Sequence, residues 1–138
     1  MGRLRRRAIL GVAAALLAVG GWAVWTATAR PQIVVTPSSV DFGPIAERRI
    51  IQVEVRNAGR APLRVLAVTS SCGCTVPAIG ATTVAPRTAT RLAITFDPVA
   101  HGPQAGPARH AVYVRTNDPR TPEVEIEVKA VVLKGVAR

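Results

Sequence analysis

The sequence predicts an all-β antiparallel sandwich of about seven strands, preceded by one N-terminal transmembrane helix. Three observations carry this reading. Residues 49–56, 89–96 and 123–132 alternate apolar and polar side chains with the period of a strand. Clusters of Pro, Gly, Asn and Asp punctuate the chain between such runs. One uncharged apolar block, Ala8 to Ala29, follows Arg3, Arg5, Arg6 and Arg7, and no later stretch compares with it.

The leader comes first. About 20 apolar residues span a bilayer, whereas a cleavable signal core is roughly 7–15. Residues 8–29 reach the longer figure, and Trp22 and Trp25 stand near the outer end, where an interfacial aromatic anchor belongs. Ala27-Thr28-Ala29 also resembles a small-x-small cleavage site, and Arg6-Arg7-Ala8-Ile9-Leu10 a loose twin-arginine pattern. Residues 1–29 are read as an uncleaved signal anchor, held in the inner membrane through residues 8–29. The arginine cluster marks the cytoplasmic side, so everything beyond is expected outside the cytoplasm, periplasmic or extracellular. That compartment tolerates disulfides.

At 138 residues and 49% hydrophobic content, the chain supports one domain with a core of its own. Its formal net charge of +10 drops by the four leader arginines to about +6 for the remainder. No dense basic run with interleaved aromatics occurs there, which excludes a nucleic-acid reading. A mixed, solvated surface is the plain interpretation, with attraction to anionic headgroups near the anchor as the alternative.

Residues 30–36 are expected as a linker and the start of the first strand, Ile33-Val34-Val35, which Pro31 and Pro37 confine to an edge. Val40 to Pro44 gives a short strand ending in a turn, with Phe42 as a core anchor. Between Arg49 and Arg56, Ile51, Val53 and Val55 share one face. Asn57 to Pro62 supplies turn chemistry, and Leu63 to Thr69 is a strand that is apolar on both faces. Ala89 to Phe96 turns Leu92, Ile94 and Phe96 inward. Asp97 to Pro107 reads as an exposed loop and Ala111 to Arg115 as a strand. The last strand, Glu123 to Val132, sets Val124, Ile126 and Val128 against Glu123, Glu125, Glu127 and Lys129. The sandwich is thus expected over residues 33–134, and its strand count fits the immunoglobulin type.

Ser70-Ser71-Cys72-Gly73-Cys74-Thr75 holds the only two cysteines, one glycine apart. They are the candidate metal and redox residues. Three readings stand: a soft-metal pair, a very small disulfide ring, or two small buried groups. A bond closing a loop of one residue removes little chain entropy, so it would be a poor staple. In an extended strand the two Cα atoms would lie roughly 6.6 Å apart, at the far edge of disulfide reach. An extended chain therefore argues for free thiols or a metal. A bend permitted by positive φ at Gly73 argues for a reducible disulfide.

Val40-Asp41-Phe42-Gly43, Val55-Arg56-Asn57-Ala58-Gly59, Pro62-Leu63, Ser71-Cys72-Gly73-Cys74-Thr75, Phe96-Asp97-Pro98 and Thr116-Asn117-Asp118 occur in this order. Together they resemble a bacterial domain-of-unknown-function family whose hallmark is Cys-Gly-Cys-Thr. That family is similar to the immunoglobulin-like Hydin and major-sperm-protein domains. The resemblance covers residues 33–132 and implies the fold and an envelope or surface setting, with no activity attached.

Catalytic chemistry finds no support in the pattern. His101 and His110 are the only histidines, and neither sits in a motif with a nucleophile. Glu123, Glu125 and Glu127 share one strand face and read as a solvated edge. Zinc would need both histidines to converge on Cys72 and Cys74, whereas copper(I) would need less. No enzyme, cofactor or small-molecule substrate is expected. The expected role is a non-enzymatic module that binds another envelope protein, and a thiol site at Cys72-Gly73-Cys74 is the alternative.

Overall fold

The computed structural model describes residues 29–100, 102 and 104–134. Apart from Ala29, the expected membrane span lies outside the described residues, as does His101. Among the described residues no helix is long and apolar enough to cross a membrane.

Nine strands build two packed sheets. They are β1 (Ile33–Thr36), β2 (Ser39–Ile45), β3 (Arg49–Asn57), β4 (Leu63–Ser70), β5 (Thr75–Ile79), β6 (Thr83–Val84), β7 (Ala89–Phe96), β8 (Gly106–Thr116) and β9 (Glu123–Val132). The first sheet has the order β1-β3-β7-β5 and the second β2-β9-β8-β4-β6. The predicted all-β sandwich stands, with two strands more than the seven expected. Both additions follow the cysteines. β5 was hidden by Pro77, and β6 is only two residues long.

The pairing is not wholly antiparallel. β2 runs parallel to β9, from Ser39↔Glu127 to Ile45↔Val132, because the chain leaves the first sheet after β1 and joins the edge of the second. Strand β8 also begins earlier than expected, at Gly106, and takes the end of the predicted loop into its pairing with β9.

Alternation explains the core. Val53 and Val55 of β3, Leu92, Ile94 and Phe96 of β7, Val112 and Val114 of β8, and Ile126 and Val128 of β9 all point between the sheets and are buried. Phe96 meets Phe42 with ring centroids 5.6 Å apart. Every residue of this cluster lies between Ile33 and Val132, so the domain contains its own core.

Strand β4 resolves a puzzle of the sequence. Its register skips between Val65↔Thr116 and Ala67↔Arg115, leaving Leu66 as the extra, exposed residue of a bulge. Before the bulge Leu63 and Val65 face inward. After it Val68, opposite the buried Val114, takes over that face. One strand thus reads as apolar on both sides because its phase changes midway.

The stretch 30–32, expected as a linker, is tied to the domain. Arg30 O accepts from the N–H of Arg60 at 2.9 Å and of Ala61 at 3.3 Å, and Gln32 O accepts from Ala58 N–H at 2.8 Å. Gly59 permits this approach, since a Cβ there would run into the backbone of Arg30 to Gln32. Asn57 anchors the same end of the sandwich. Fully buried, it accepts from Gln32 N–H and Gly59 N–H and donates to the carbonyls of Ala61 and Val84.

Candidate functional site

Strand β4 delivers the cysteines to the pole opposite the Arg30 end. Ser71 extends its ladder by one residue: Ser71 N–H donates to Ala111 O, and Ala111 N–H to Ser71 Oγ, both at 2.9 Å. Beyond Ser71 the chain turns. Thr75 N–H donates to Cys72 O at 3.2 Å, closing a four-residue turn over Cys72 to Thr75. Ser70 Oγ donates to the same carbonyl at 2.9 Å and accepts from Cys72 N–H at 3.3 Å. Cys74 N–H points to Cys72 Sγ at 3.1 Å.

This turn is the bent rather than the extended alternative for the thiols. The Cα atoms of Cys72 and Cys74 are 5.2 Å apart, and their sulfurs form a disulfide. The bend does not draw on the freedom of glycine. Gly73 is not among the residues with positive φ, and an added Cβ would meet nothing within 4 Å. The two halves of the bridge differ in burial. Cys74 is fully buried in the core, with its Sγ 3.8 Å from Thr75 Oγ1, whereas Cys72 is half-buried at the surface.

His110 joins them. It lies within β8, where the inward alternation of Val112 and Val114 continues back to it. Its ring stacks on Phe96, with centroids 6.1 Å apart and planes at 27°. A ring nitrogen and both sulfurs lie within 4.8 Å of one another. The signal was in the sequence: once Val112 and Val114 are placed inward, residue 110 must follow.

Beside this group lies an open depression of about 270 Å³, lined by Ser71, His110, Arg109, Glu125 and Glu127. Glu127 forms ion pairs with Arg109 at 3.4 Å and Lys129 at 3.0 Å, as a solvated sheet face should. On the other flank, Cys74 O accepts from Asp97 N–H at 2.8 Å. The Arg48 guanidinium grips the Asp97 carboxylate at 2.7 and 3.1 Å. That bond, aided by the N–H groups of Val99 and Ala100 and opposed by burial, holds the Asp97 carboxyl below the usual carboxylate range.

The outer face of the first sheet is apolar at the same pole. The register puts Ile50, Thr95 and Val76 side by side across β3, β7 and β5, and Ile50 and Val76 are 61% and 55% exposed. The free edge of β5 is blunted. Cys74↔Asp97 and Gly80↔Arg91 bond toward β7, so the backbone groups of Thr75, Pro77 and Ile79 face outward. Pro77 has no N–H, and that of Thr75 is taken by Cys72 O.

A family model described as a protein of unknown function, DUF1573, matches residues 33–132. No curated protein matches the chain. Among solved structures, a protein of unknown function from Porphyromonas gingivalis W83 is similar at 27% identity and a TM-score of 0.69. The alignment covers 73% of this chain and 46% of that one, so the chain spans about half its length. The PapD-like domain 7 of human CEP192 aligns at 11% identity and a TM-score of 0.57, over 77% of this chain and 88% of that one. SSP-19 of Caenorhabditis elegans, an MSP-domain protein like family member, aligns at 15% and 0.54, over 71% and 98%. The last two share the immunoglobulin-like fold alone.

Proposed function

Because the chain belongs to the DUF1573 family of proteins of unknown function, its role has to be read from its own geometry. We propose that it is a membrane-anchored, extracytoplasmic module that works by binding another envelope protein rather than by catalysis. The observation that carries this is the row Ile50–Thr95–Val76 beside the disulfide turn. Large apolar side chains exposed together on a sheet face mark a contact surface. Strand β3 spans nine residues from this pole to the one where the leader joins, roughly 26 Å at about 3.3 Å per residue. An anchored domain therefore holds the row away from the bilayer. Pro77 directs a partner to the face, because the neighbouring edge offers few donors.

The test is photo-crosslinking from position 76 in intact cells, with position 54, on the same face near the other pole, as the control. A discrete adduct at 76 that disappears on Ile50→Glu supports the reading. The same products from both positions, or none at 76, overturn it. Anchoring is tested apart from this. The full chain should resist alkaline carbonate extraction, and a soluble product beginning at Arg30 would refute it.

A second reading rests on the distance of 4.8 Å that encloses both sulfurs and a His110 nitrogen. Exchange with two external thiols would release Cys72 and Cys74 as thiols and leave the donor oxidised to its disulfide. Two thiolates and an imidazole then suit copper(I). Intact mass of the reduced protein with copper(I), before and after alkylation, should report one ion lost on Cys72→Ser/Cys74→Ser. Equal uptake by that variant would exclude the site.

A further inference from the structure

We propose that the pole where the chain enters the domain is a seat for anionic phospholipid headgroups, built from Arg30, Arg60, Arg87 and Arg120. These four line one depression of about 540 Å³, and no acidic side chain lines it with them. All four are exposed. They come from four separate segments: the residues before β1 and the β3–β4, β6–β7 and β8–β9 connections. Their convergence is therefore a product of the fold, and no basic run announces it.

The seat is held in place. Arg87 stands at φ 63, a backbone region a non-glycine residue adopts only when its surroundings impose it. Its N–H donates to Asn57 O at 2.9 Å. Arg120 N–H donates to Asp118 Oδ1 at 2.9 Å. Asp118 is itself buried, and its other oxygen accepts from Ile33 N–H. Glu123, at the start of β9, is an exposed carboxylate of this pole but does not line the depression, and exposed Glu54 stands three residues before Asn57 on β3. Guanidinium forks match phosphate oxygens in geometry as well as charge.

The occupant follows from where the chain goes. This step rests on the anchor reading: a span ending at Ala29 meets Arg30 with no residue between. Arg30 is bonded to the domain through Arg60 and Ala61, and Gly59 lets residues 30–32 lie flush against it. Such an attachment has no slack, since one residue reaches at most about 3.6 Å. The arginines are then within about one Debye length of the bilayer, roughly 8 Å at physiological salt, where charge is still felt. Each is worth about a fivefold gain in partitioning to an anionic surface.

The domain, residues 30–138, contains its own core, so it is tested without the leader. Its flotation with phosphatidylcholine vesicles is compared with and without phosphatidylglycerol. Arg60→Gln/Arg87→Gln/Arg120→Gln should weaken binding to the anionic vesicles about a hundredfold at low salt. Arg49→Gln/Arg109→Gln/Lys134→Gln removes the same charge toward the opposite pole and should cost only a fewfold, with thermal melting confirming that both variants are folded. Equal losses in the two variants, or binding indifferent to phosphatidylglycerol, would overturn the proposal. Displacement by inorganic phosphate at matched phosphate concentration would do so too, since it points to a soluble anion. Carbonate extraction of the full chain reads the anchor alone, so failure of the anchor and failure of the seat are distinguishable.

Discussion

Replacing Asn57 by alanine should cost this domain more than any other single polar substitution. Its amide has two donors and two acceptor positions, and the structure fills all four. Nδ2 donates to Ala61 O at 2.8 Å and Val84 O at 3.0 Å, while Oδ1 accepts from Gly59 N–H at 3.0 Å and Gln32 N–H at 3.2 Å. Truncation orphans all four backbone groups. The bonds to Val84 and Gly59 are buried, and an orphaned buried group costs about 1–3 kcal/mol. Those to Gln32 and Ala61 are partly buried, so water recovers much of the loss and about 0.5–1 kcal/mol each is fair. The ranges sum to about 3–8 kcal/mol, and about 4 kcal/mol, toward the lower end, is expected against a total stability of roughly 5–15 kcal/mol for a domain. At about 4–8 °C per kcal/mol, melting should fall by roughly 15–30 °C. Urea denaturation should give a lower midpoint at unchanged slope. Asn57→Asp keeps both acceptors, loses both donors and sets a carboxylate against two carbonyls, so it should do no better. A loss below about 1 kcal/mol in the alanine variant would refute the reasoning, because the orphaned groups would then have found water.

The other predictions are shorter. Phe96→Ala, fully buried against Phe42, should cost about 3–5 kcal/mol, whereas Glu125→Ala on the outer face should stay within about 0.5 kcal/mol in the same denaturation. Cys74→Ser should be more damaging than Cys72→Ser by about 1–3 kcal/mol, since Cys74 is fully buried and Cys72 is not, while Gly73→Ala should be silent. Asp97 is held below the usual carboxylate range, chiefly by Arg48. Its contribution should be present above about pH 4 and fade as pH falls through the depressed value. Arg48→Gln should therefore lose a small amount of stability at neutral pH and converge with the wild type in strong acid. A constant difference across the titration would contradict this.

The sheets were legible wherever one face is buried and the other wet. β3, β7 and β9 announce themselves because a period of two is the direct imprint of that asymmetry. β5 was not legible. A proline argues against a strand unless its missing N–H faces an open edge, and edge geometry is a property of the assembled sheet. The bulge at Leu66 blurred β4 for a related reason, since a phase change looks locally like a loss of pattern. The cysteines were plain, but their state depended on a turn that Ser70 and Thr75 set through backbone bonds. The arginine pole was invisible. Its members lie in three connections and the residues before β1, far apart in the chain, and only topology gathers them.

The parallel pairing of β2 with β9 has a mechanical side. The chain enters at one pole, and β9 ends at the other, past Val132. Tension between a bilayer and anything held by the C-terminal segment would first load β1 against β3 and, through it, draw β2 back toward its start and β9 onward past its end. The two strands would slide in opposite senses along their shared length, loading the bonds from Ser39↔Glu127 to Ile45↔Val132 together rather than one by one. Resistance to pulling is set by the unfolding rate, not by equilibrium stability. A domain of ordinary stability with this pairing would resist pulling by the rate at which the ladder shears. Pulling it by residues 30 and 134 in an optical trap should give one abrupt rupture, where a gradual peel would mean that the ladder is not loaded in shear.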